Sequence, residues 1–114
     1  MAETEQPSIF TRIINRELPA DILLEDGRCL VIRDINPQAP VHILVFPKEQ
    51  HKDLTSASED LLGHLLSTIR VVAEKEKLEN GYRVVLNNGP ASKLEVPHLH
   101  FHLLGQRQMH GSFG

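Results

Sequence analysis

Three histidines alternate with apolar residues in the segment His98–His102, which reads His-Leu-His-Phe-His. Successive side chains of a β-strand point to opposite faces, so a strand here places the three imidazoles together on one face. Leu99, Phe101 and Leu103 then point to the other face, where a helix can cover them. Alternate residues on one face lie about 6.5 Å apart, so we expect three imidazoles that project from the surface and converge on one phosphate.

Two kinds of chemistry fit such a row of imidazoles. A histidine is nucleophilic near neutral pH and can attack phosphorus, which divides one displacement into two steps through a covalent nucleotidyl intermediate. Flanking imidazoles can donate hydrogen bonds to the non-bridging oxygens, and the central His100 has one such neighbour on each side. Imidazole is also a common zinc ligand, so a metal site is the main alternative, ahead of incidental solvated histidines. Spacing alone does not choose between phosphoryl chemistry and metal binding.

The composition limits what the rest of the chain can be. With 114 residues, of which 40% are hydrophobic and 24% charged, the chain is expected to form one globular domain. No stretch approaches the ~20 apolar residues that cross a membrane, and the polar residues 1–6 do not resemble a secretory signal. We therefore expect a flexible tail at 1–6 and a cytoplasmic protein without a membrane partner. The net charge of −3 argues against nucleic acid as a partner, and the single cysteine, Cys29, is expected to be a reduced core residue.

The hydrophobic pattern predicts two helices and five strands that would position the histidines. Ser8 is placed to cap a short helix that ends near Leu18, before a proline. A long helix is predicted at roughly 56–78, closed by Asn80-Gly81. The predicted strands are 22–25 and 29–33, joined by an Asp26-Gly27 turn, then 42–46, 82–87 and 98–104. Short connections favour antiparallel pairing, so we expect an α+β fold whose helices cover one face of an antiparallel sheet.

The histidine segment, continued to Leu104, resembles the pattern of the histidine-triad (HIT) family, in which histidines alternate with apolar residues and two apolar residues close the motif. Further segments resemble the Hint branch of that family, the histidine triad nucleotide-binding proteins: Ser8–Phe10, Ile13-Ile14, Glu17–Ala20, Asp34–His42, Pro47-Lys48, Gly81–Val85 and Gly105–His110. The resemblance implies a single HIT domain over residues 7–114. It also implies a homodimer in which two five-stranded antiparallel sheets continue into one ten-stranded sheet.

The resemblance implies that the chain binds purine nucleoside monophosphates such as AMP and hydrolyses nucleoside 5′-phosphoramidates without a metal cofactor. Zinc would then be an adventitious ligand. His100 would be the nucleophile, while His98 and His102 would orient it and contact the phosphate. His42 would support the triad from the neighbouring strand. Hydrolysis of dinucleoside polyphosphates and a nucleotide-binding regulatory role with weak turnover are the alternatives.

The resemblance also implies a nucleotide pocket. Asp34 would accept hydrogen bonds from the ribose hydroxyls, Ile35 would lie beside it, and Asn87 would bind the phosphate region. The base would lie in an apolar slot whose four members would, by spacing alone, be assigned to the core: Phe10, Ile13, Leu18 and Ile32. The predicted nucleotide-binding set is completed by Phe101 and the segment Lys93-Leu94-Glu95.

The segment Lys93-Leu94-Glu95 departs from the family pattern, which commonly has Gly-Gln-Ser or Gly-Gln-Glu before the triad. Glu95 would protonate a leaving amine if burial raised its pKa, and is otherwise a surface charge. The departure leaves the preference for the leaving group open.

Overall fold

A computed structural model of the chain describes residues 7–92 and 96–109. Within them lie two α-helices, α1 (Ile9–Ile14) and α2 (Glu59–Lys75), and two 3₁₀ turns at Leu54–Ser56 and Pro90–Ser92. The strands are β1 (Ile22–Glu25), β2 (Cys29–Arg33), β3 (Val41–Pro47), β4 (Tyr82–Val85) and β5 (Phe101–Gly105). They form one antiparallel sheet in the order β1-β2-β3-β5-β4, which confirms the predicted α+β class. The predicted tail at 1–6 lies outside the described residues. None of the described helices is long and apolar enough to cross a membrane.

The turn between β1 and β2 is closed by the side chain of Asp26, as the Asp26-Gly27 signal predicted. Its Oδ1 accepts hydrogen bonds from the backbone N–H groups of Arg28 (2.7 Å) and Cys29 (2.8 Å). The strand β3 pairs with β2 on one side and with β5 on the other. His42 lies opposite Leu104 and His102 lies opposite Leu44, so the two histidines are diagonal neighbours across the β3–β5 pair. Diagonal side chains lie within reach of each other.

The two helices lie on opposite faces of the sheet, which corrects the expectation that both cover one face. The face under α2 buries one set of residues: Leu61, Leu65, Ile69 and Val72 against Val31, Ile43, Val45, Leu99, Phe101 and Leu103. The face under α1 buries another: Phe10 and Ile13 against Leu30, Ile32, Leu44 and Phe46. Every residue of β3 is buried, so both faces of the central sheet need a cover. The unbroken apolar run Cys29–Ile32 carried this signal, because a strand covered on one face alternates with polar residues.

Both helices are shorter than the sequence pattern suggests. Ser8 caps α1 as predicted, accepting a hydrogen bond from the backbone N–H of Thr11, but the helix ends at Ile14. Arg16 has a left-handed φ of 63°, which no α-helix accommodates. The helix α2 begins after Ser58 and ends at Lys75, before the Asn80-Gly81 signal, and Lys77 has a φ of 58°.

The strand β5 begins at Phe101, three residues later than predicted. The backbone N–H of His98 donates to the carbonyl of Val96 (2.8 Å), and that of Leu99 donates to the carbonyl of His51 (2.6 Å). These bonds commit the backbone before Phe101 to loop contacts and keep it from pairing with β3. The strand β4 ends at Val85, opposite His102, so Asn87 lies beyond it. The first two histidines of the row therefore lie in a loop that leads into the strand.

Candidate functional site

A cavity of about 690 Å³ opens between α1, the carboxyl end of β2 and the histidine segment. Nine of the predicted site residues line it: Phe10, Ile13, Leu18, Ile32, Asp34, Ile35, Asn87, His100 and His102. Six further lining residues were not predicted from the sequence: Ile9, Pro19, Ala20, Arg33, Leu44 and Val96. The even-numbered position of Leu44 on β3, shared with His42, is the signal that could have identified it, because both side chains lie on the α1 face.

The apolar slot is both core and cavity wall. Phe10 and Ile13 project from α1, are 6% and 7% exposed, and pack in the core on that face while lining the cavity. The ring of Phe10 stacks on Phe46 with a centroid distance of 4.5 Å. The two interpretations of these apolar residues are therefore compatible. Ile35 lies at the cavity with 92% of its surface exposed, which gives the rim an apolar side chain that a bound base can cover.

His98 does not line the cavity with His100 and His102, which corrects the expected row of three imidazoles that project from the surface and converge. Its side chain is fully buried, and its ring meets the edges of Phe10 and Phe46. The ring Nε2 lies 2.8 Å from the carbonyl of Pro47, which can only accept, so Nε2 carries the proton. The other nitrogen, Nδ1, accepts a hydrogen bond from the hydroxyl of Ser8 at 2.6 Å. Both nitrogens are thus engaged by protein groups, and the ring does not line the cavity.

His100 presents an acceptor nitrogen to the cavity. Its Nδ1 lies 2.7 Å from the backbone carbonyl of His98, so Nδ1 must donate and carry the proton. In the neutral ring this leaves Nε2 unprotonated, with a lone pair available for attack. The side chain is 7% exposed and meets the ring of Phe10 at a centroid distance of 4.9 Å. His98 therefore fixes the orientation and the protonated nitrogen of His100 through its own carbonyl.

His102 presents a donor N–H to the cavity, in contrast to the acceptor nitrogen of His100, and a hydrogen bond from His42 determines this. The backbone N–H of Gln38 donates to Nδ1 of His42 at 2.9 Å, so the proton of the neutral His42 ring is on Nε2. That Nε2–H donates to Nδ1 of His102 at 2.9 Å. The neutral His102 ring consequently carries its proton on Nε2, where it is available to the cavity. His42 itself is buried and does not line the cavity, so it contacts the site through His102 and Asp34.

Asp34 lines the cavity at the start of the loop that follows β2. Its backbone N–H donates to the carbonyl of His42 (2.9 Å), and its Oδ1 accepts from the backbone N–H of Asn36 (2.8 Å). Its Oδ2 lies 3.3 Å from Nε2 of His42, within reach of the proton that His42 gives to His102. The Asp34 side chain is 18% exposed, so one carboxylate is held at the cavity with open lone pairs.

Burial keeps the four site histidines neutral. It lowers the pKa of His98 to about 4, and the carbonyl of Pro47 opposes the shift only in part. Burial also lowers the pKa of His102 to about 4, helped by the nearby His100 and His42. The pKa values of His100 and His42 are lowered as well, again chiefly by burial and against the attraction of Asp34. The contact between His42 and Asp34 is therefore that of a neutral ring, and the proton positions derived above hold at neutral pH.

Several predicted residues lie elsewhere. Phe101 is 6% exposed in the core under α2 and does not line the cavity, which corrects its place in the nucleotide-binding set. Its odd-numbered position already put it on the face away from the histidines. The segment Lys93-Leu94-Glu95 lies outside the described residues. A further histidine, His64 on α2, does not line the cavity, and its Nε2 lies 2.7 Å from Oδ2 of Asp26.

Two described clusters have the residue types of a metal site. Asp34, His42 and His102 bring donor atoms within 4.8 Å of one another, and so do Asp26, Cys29 and His64. In the first cluster an ion would replace the hydrogen bond between His42 and His102. In the second it would need the thiolate of Cys29, whose pKa burial raises to about 11. Either cluster could hold zinc only by giving up a hydrogen bond or a proton that the fold retains.

Comparisons with known proteins identify the family of the chain. The HIT domain family matches residues 15–109. An uncharacterized HIT-like protein of Synechococcus elongatus is 52% identical over 91% of this chain and 94% of its own length. A 14 kDa zinc-binding protein of Zea mays is 49% identical over 92% and 86%. The adenylylsulfatase HINT1 of Arabidopsis thaliana is 45% identical over 93% and 76%.

Solved structures show the same fold. A HIT family hydrolase from Clostridium thermocellum superposes with a TM-score of 0.90, at 40% identity, over 96% of this chain and 99% of that one. A histidine triad nucleotide-binding protein from Candida albicans has a TM-score of 0.80, at 29% identity, over 94% and 86%. The chain belongs to the HIT domain family, and its similarity to HINT1 agrees with the Hint branch.

Proposed function

We propose that the protein hydrolyses purine nucleoside 5′-phosphoramidates through a covalent nucleotidyl intermediate on His100. The observation that carries the proposal is the opposite polarity of the two histidines at the cavity. His100 offers an unprotonated nitrogen for attack on phosphorus, and His102 offers an N–H for a phosphoryl oxygen. A pair of this kind supplies the nucleophile and the electrostatic stabilisation that phosphoryl transfer needs.

The reaction has two displacements. In the first, the Nε2 lone pair of His100 attacks the α-phosphorus and the phosphorus–nitrogen bond breaks, so the amine leaves with that electron pair and takes up a proton. His102 donates its Nε2–H to a non-bridging oxygen. The His100 ring keeps its Nδ1 proton and becomes positively charged, and the carbonyl of His98 stabilises it. In the second, water attacks phosphorus and the bond to Nε2 breaks, which releases the nucleoside monophosphate and one proton.

The residues that line the cavity suit the nucleoside part of the substrate, which stays bound to the protein while the amine leaves. Phe10, Ile13 and Leu18 provide an apolar wall for a flat base, and Asp34 provides the acceptor for ribose hydroxyls. The relative from Arabidopsis thaliana is named an adenylylsulfatase, which makes adenylyl sulfate the second substrate to test. The same attack would then release sulfate in place of an amine.

We propose that turnover needs no metal. The N–H of His102 already occupies the role that a cation would take at the phosphoryl oxygen. Zinc bound by Asp34, His42 and His102 would displace the hydrogen bond that fixes this proton, so we expect such binding to lower turnover. Zinc is then an adventitious ligand of the site.

We propose that the active form is a cytoplasmic homodimer joined through β4. This strand is an edge of the described sheet and exposes Tyr82 (41%) and Val84 (39%). An unpaired apolar edge is a template for another strand, and pairing two copies would continue the sheet across the dimer. Sedimentation velocity should show a dimer for the wild type and for Ile22→Lys on the opposite edge, and a monomer for Val84→Lys. A monomeric wild type would overturn this part of the proposal.

The central experiment traps the intermediate. The protein is mixed with adenosine 5′-phosphoramidate and EDTA, quenched within milliseconds to seconds, and examined by mass spectrometry for an acid-labile AMP adduct on His100. His100→Ala should form no adduct and should not turn over, whereas His64→Ala, outside the cavity, should behave as wild type. Loss of turnover in EDTA contradicts the metal-free reaction. Unchanged turnover by His100→Ala contradicts the nucleophile.

A substrate panel separates the alternatives. Adenosine 5′-phosphoramidate, adenylyl sulfate and a diadenosine polyphosphate are compared by kcat/KM under the same conditions. We expect the phosphoramidate to have the highest value. A higher value for the dinucleotide would favour the polyphosphate hydrolase, and AMP binding with no turnover of any substrate would favour the regulatory module.

A further inference from the structure

Ser8 is an N-cap residue whose hydroxyl also reaches the histidine segment. Its Oγ accepts a hydrogen bond from the backbone N–H of Thr11 at 3.0 Å, which is the cap of α1. The same oxygen lies 2.6 Å from Nδ1 of His98, ninety residues along the chain, and both side chains are buried. The sequence pattern predicts only the first of these two contacts.

The direction of the contact follows from its surroundings. Nε2 of His98 must donate to the carbonyl of Pro47, so Nδ1 is an acceptor and Ser8 is its donor. Thr11 is the other hydroxyl near Nδ1, at 3.4 Å, but its proton goes to the side-chain oxygen of Gln50 at 2.7 Å. The hydrogen bond that His98 accepts at Nδ1 is therefore donated by the Ser8 hydroxyl.

Gln50 fixes the position of Ser8. The same Gln50 oxygen that accepts from Thr11 accepts from the backbone N–H of Ser8 at 2.9 Å. The first turn of α1 is thus anchored at its backbone and at two side chains, and the Ser8 hydroxyl is aimed at His98. A satisfied buried network of hydrogen bonds rigidifies the side chains that form it.

We propose that Ser8 is a positioning residue for the reaction, which acts on His100 through His98. The hydroxyl locks the His98 ring, and the His98 carbonyl in turn holds the Nδ1–H of His100 at 2.7 Å. Phe10, two residues after Ser8, contacts the rings of both histidines and lines the cavity. The first turn of α1 therefore links the wall of the base slot to the alignment of the nucleophile. The kinetic part of this inference rests on the proposed function.

The cap and the positioning role can be separated by substitution. Ser8→Thr keeps both the acceptor and the donor. Ser8→Asp keeps a good cap but offers His98 only acceptor oxygens. Ser8→Ala loses both roles. Ser58→Ala removes the equivalent cap of α2, where Ser58 accepts from the backbone N–H of Leu61, and is the matched control.

The kinetic readout is kcat against KM for adenosine 5′-phosphoramidate. We expect kcat to fall roughly tenfold or more in Ser8→Ala and Ser8→Asp, with KM within about twofold, since misplacement of a nucleophile slows the chemical step. Ser8→Thr should restore kcat, and Ser58→Ala should leave it unchanged. Wild-type kcat in Ser8→Asp, with the fold verified by circular dichroism, overturns the proposal, as does an equal loss in Ser58→Ala.

The spectroscopic readout does not need turnover. Long-range ¹⁵N–¹H correlation spectra report which ring nitrogen of each histidine is protonated and which is hydrogen-bonded. We expect His98 Nδ1 to appear as a hydrogen-bonded acceptor in the wild type and in Ser8→Thr, and as an unbonded nitrogen in Ser8→Ala. The His100 Nδ1–H signal should shift or broaden in Ser8→Ala. If the wild type hydrolyses no phosphoramidate, the proposed function fails. The link from Ser8 to His100 is then decided by these spectra, and unchanged His98 and His100 signals in Ser8→Ala overturn it.

Discussion

Protonation of His98 is expected to change the stability of the fold measurably, because the ring is buried. Its side chain is fully buried, and burial lowers its pKa from 6.5 to about 4. Between these values the unfolded chain binds a proton that the native ring does not, so stability falls as the pH falls. The contribution is complete above pH 6.5 and disappears as the pH drops through about 4. At about 1.36 kcal/mol per pKa unit, the shift corresponds to roughly 3 kcal/mol, most of which is lost by pH 4.5.

Replacing the ring isolates this contribution from those of the other histidines. His98→Gln keeps an N–H that can donate to Pro47 but has no group that titrates. The unfolding free energy is measured by urea denaturation with circular dichroism at pH 7.0 and pH 4.5. We expect the wild type to lose roughly 2 to 3 kcal/mol more than His98→Gln over this interval. Leu99→Val, a neighbouring core substitution, should lose as much as the wild type. Equal losses in the wild type and His98→Gln would refute a buried neutral His98.

The other predictions concern catalysis by the cavity residues. His102→Ala removes the N–H aimed at a phosphoryl oxygen, so kcat should fall by about 10²–10³, with wild-type kcat contradicting that role. Asp34→Asn should raise KM and the AMP dissociation constant by roughly tenfold or more with little change in kcat, because a charge-assisted bond to the ribose becomes a neutral one; an unchanged KM would remove Asp34 from the ribose site. For His100, whose pKa burial lowers, the neutral form is the nucleophile, so kcat/KM should stay level down to pH 6.5 and fall only below it; an acid limb above pH 6.5 would contradict this.

The sequence predicts the elements best where a local signal ends them. The limits of β1 and β2 match because Asp26 closes a short turn with its own side chain. The start of β5 does not match, because the bond from Leu99 to the carbonyl of His51 joins residues 48 positions apart. Arg16 and Lys77 end the helices in left-handed conformations that residues with long side chains rarely adopt. Local pattern carries no information on either effect.

For the candidate site, too, the sequence predicts some features and not others. The alternation of apolar and histidine residues correctly separates Leu99, Phe101 and Leu103 from the cavity face. It does not distinguish His98 from its neighbours, because the difference is that α1 covers His98 and leaves His100 and His102 at the cavity. The apolar residues of the slot show why core and site are hard to separate by composition. Phe10 and Ile13 belong to the core and also line the cavity, and the same spacing of apolar residues occurs in both settings.

A sequence motif does not predict which nitrogen of each imidazole carries the proton. Three backbone groups determine this: the carbonyls of Pro47 and His98 and the N–H of Gln38. Backbone groups are the same for every residue except proline, so side-chain identity at these positions does not reveal them. What they produce is one acceptor on His100 and one donor on His102. Both are used in the proposed attack, which means that neither ring protonates the departing amine. That proton must come from another donor, and Glu95, which lies outside the described residues, is the candidate predicted from the sequence. Glu95→Gln should therefore slow substrates with a basic amine and spare those whose leaving group departs without a proton, such as adenylyl sulfate.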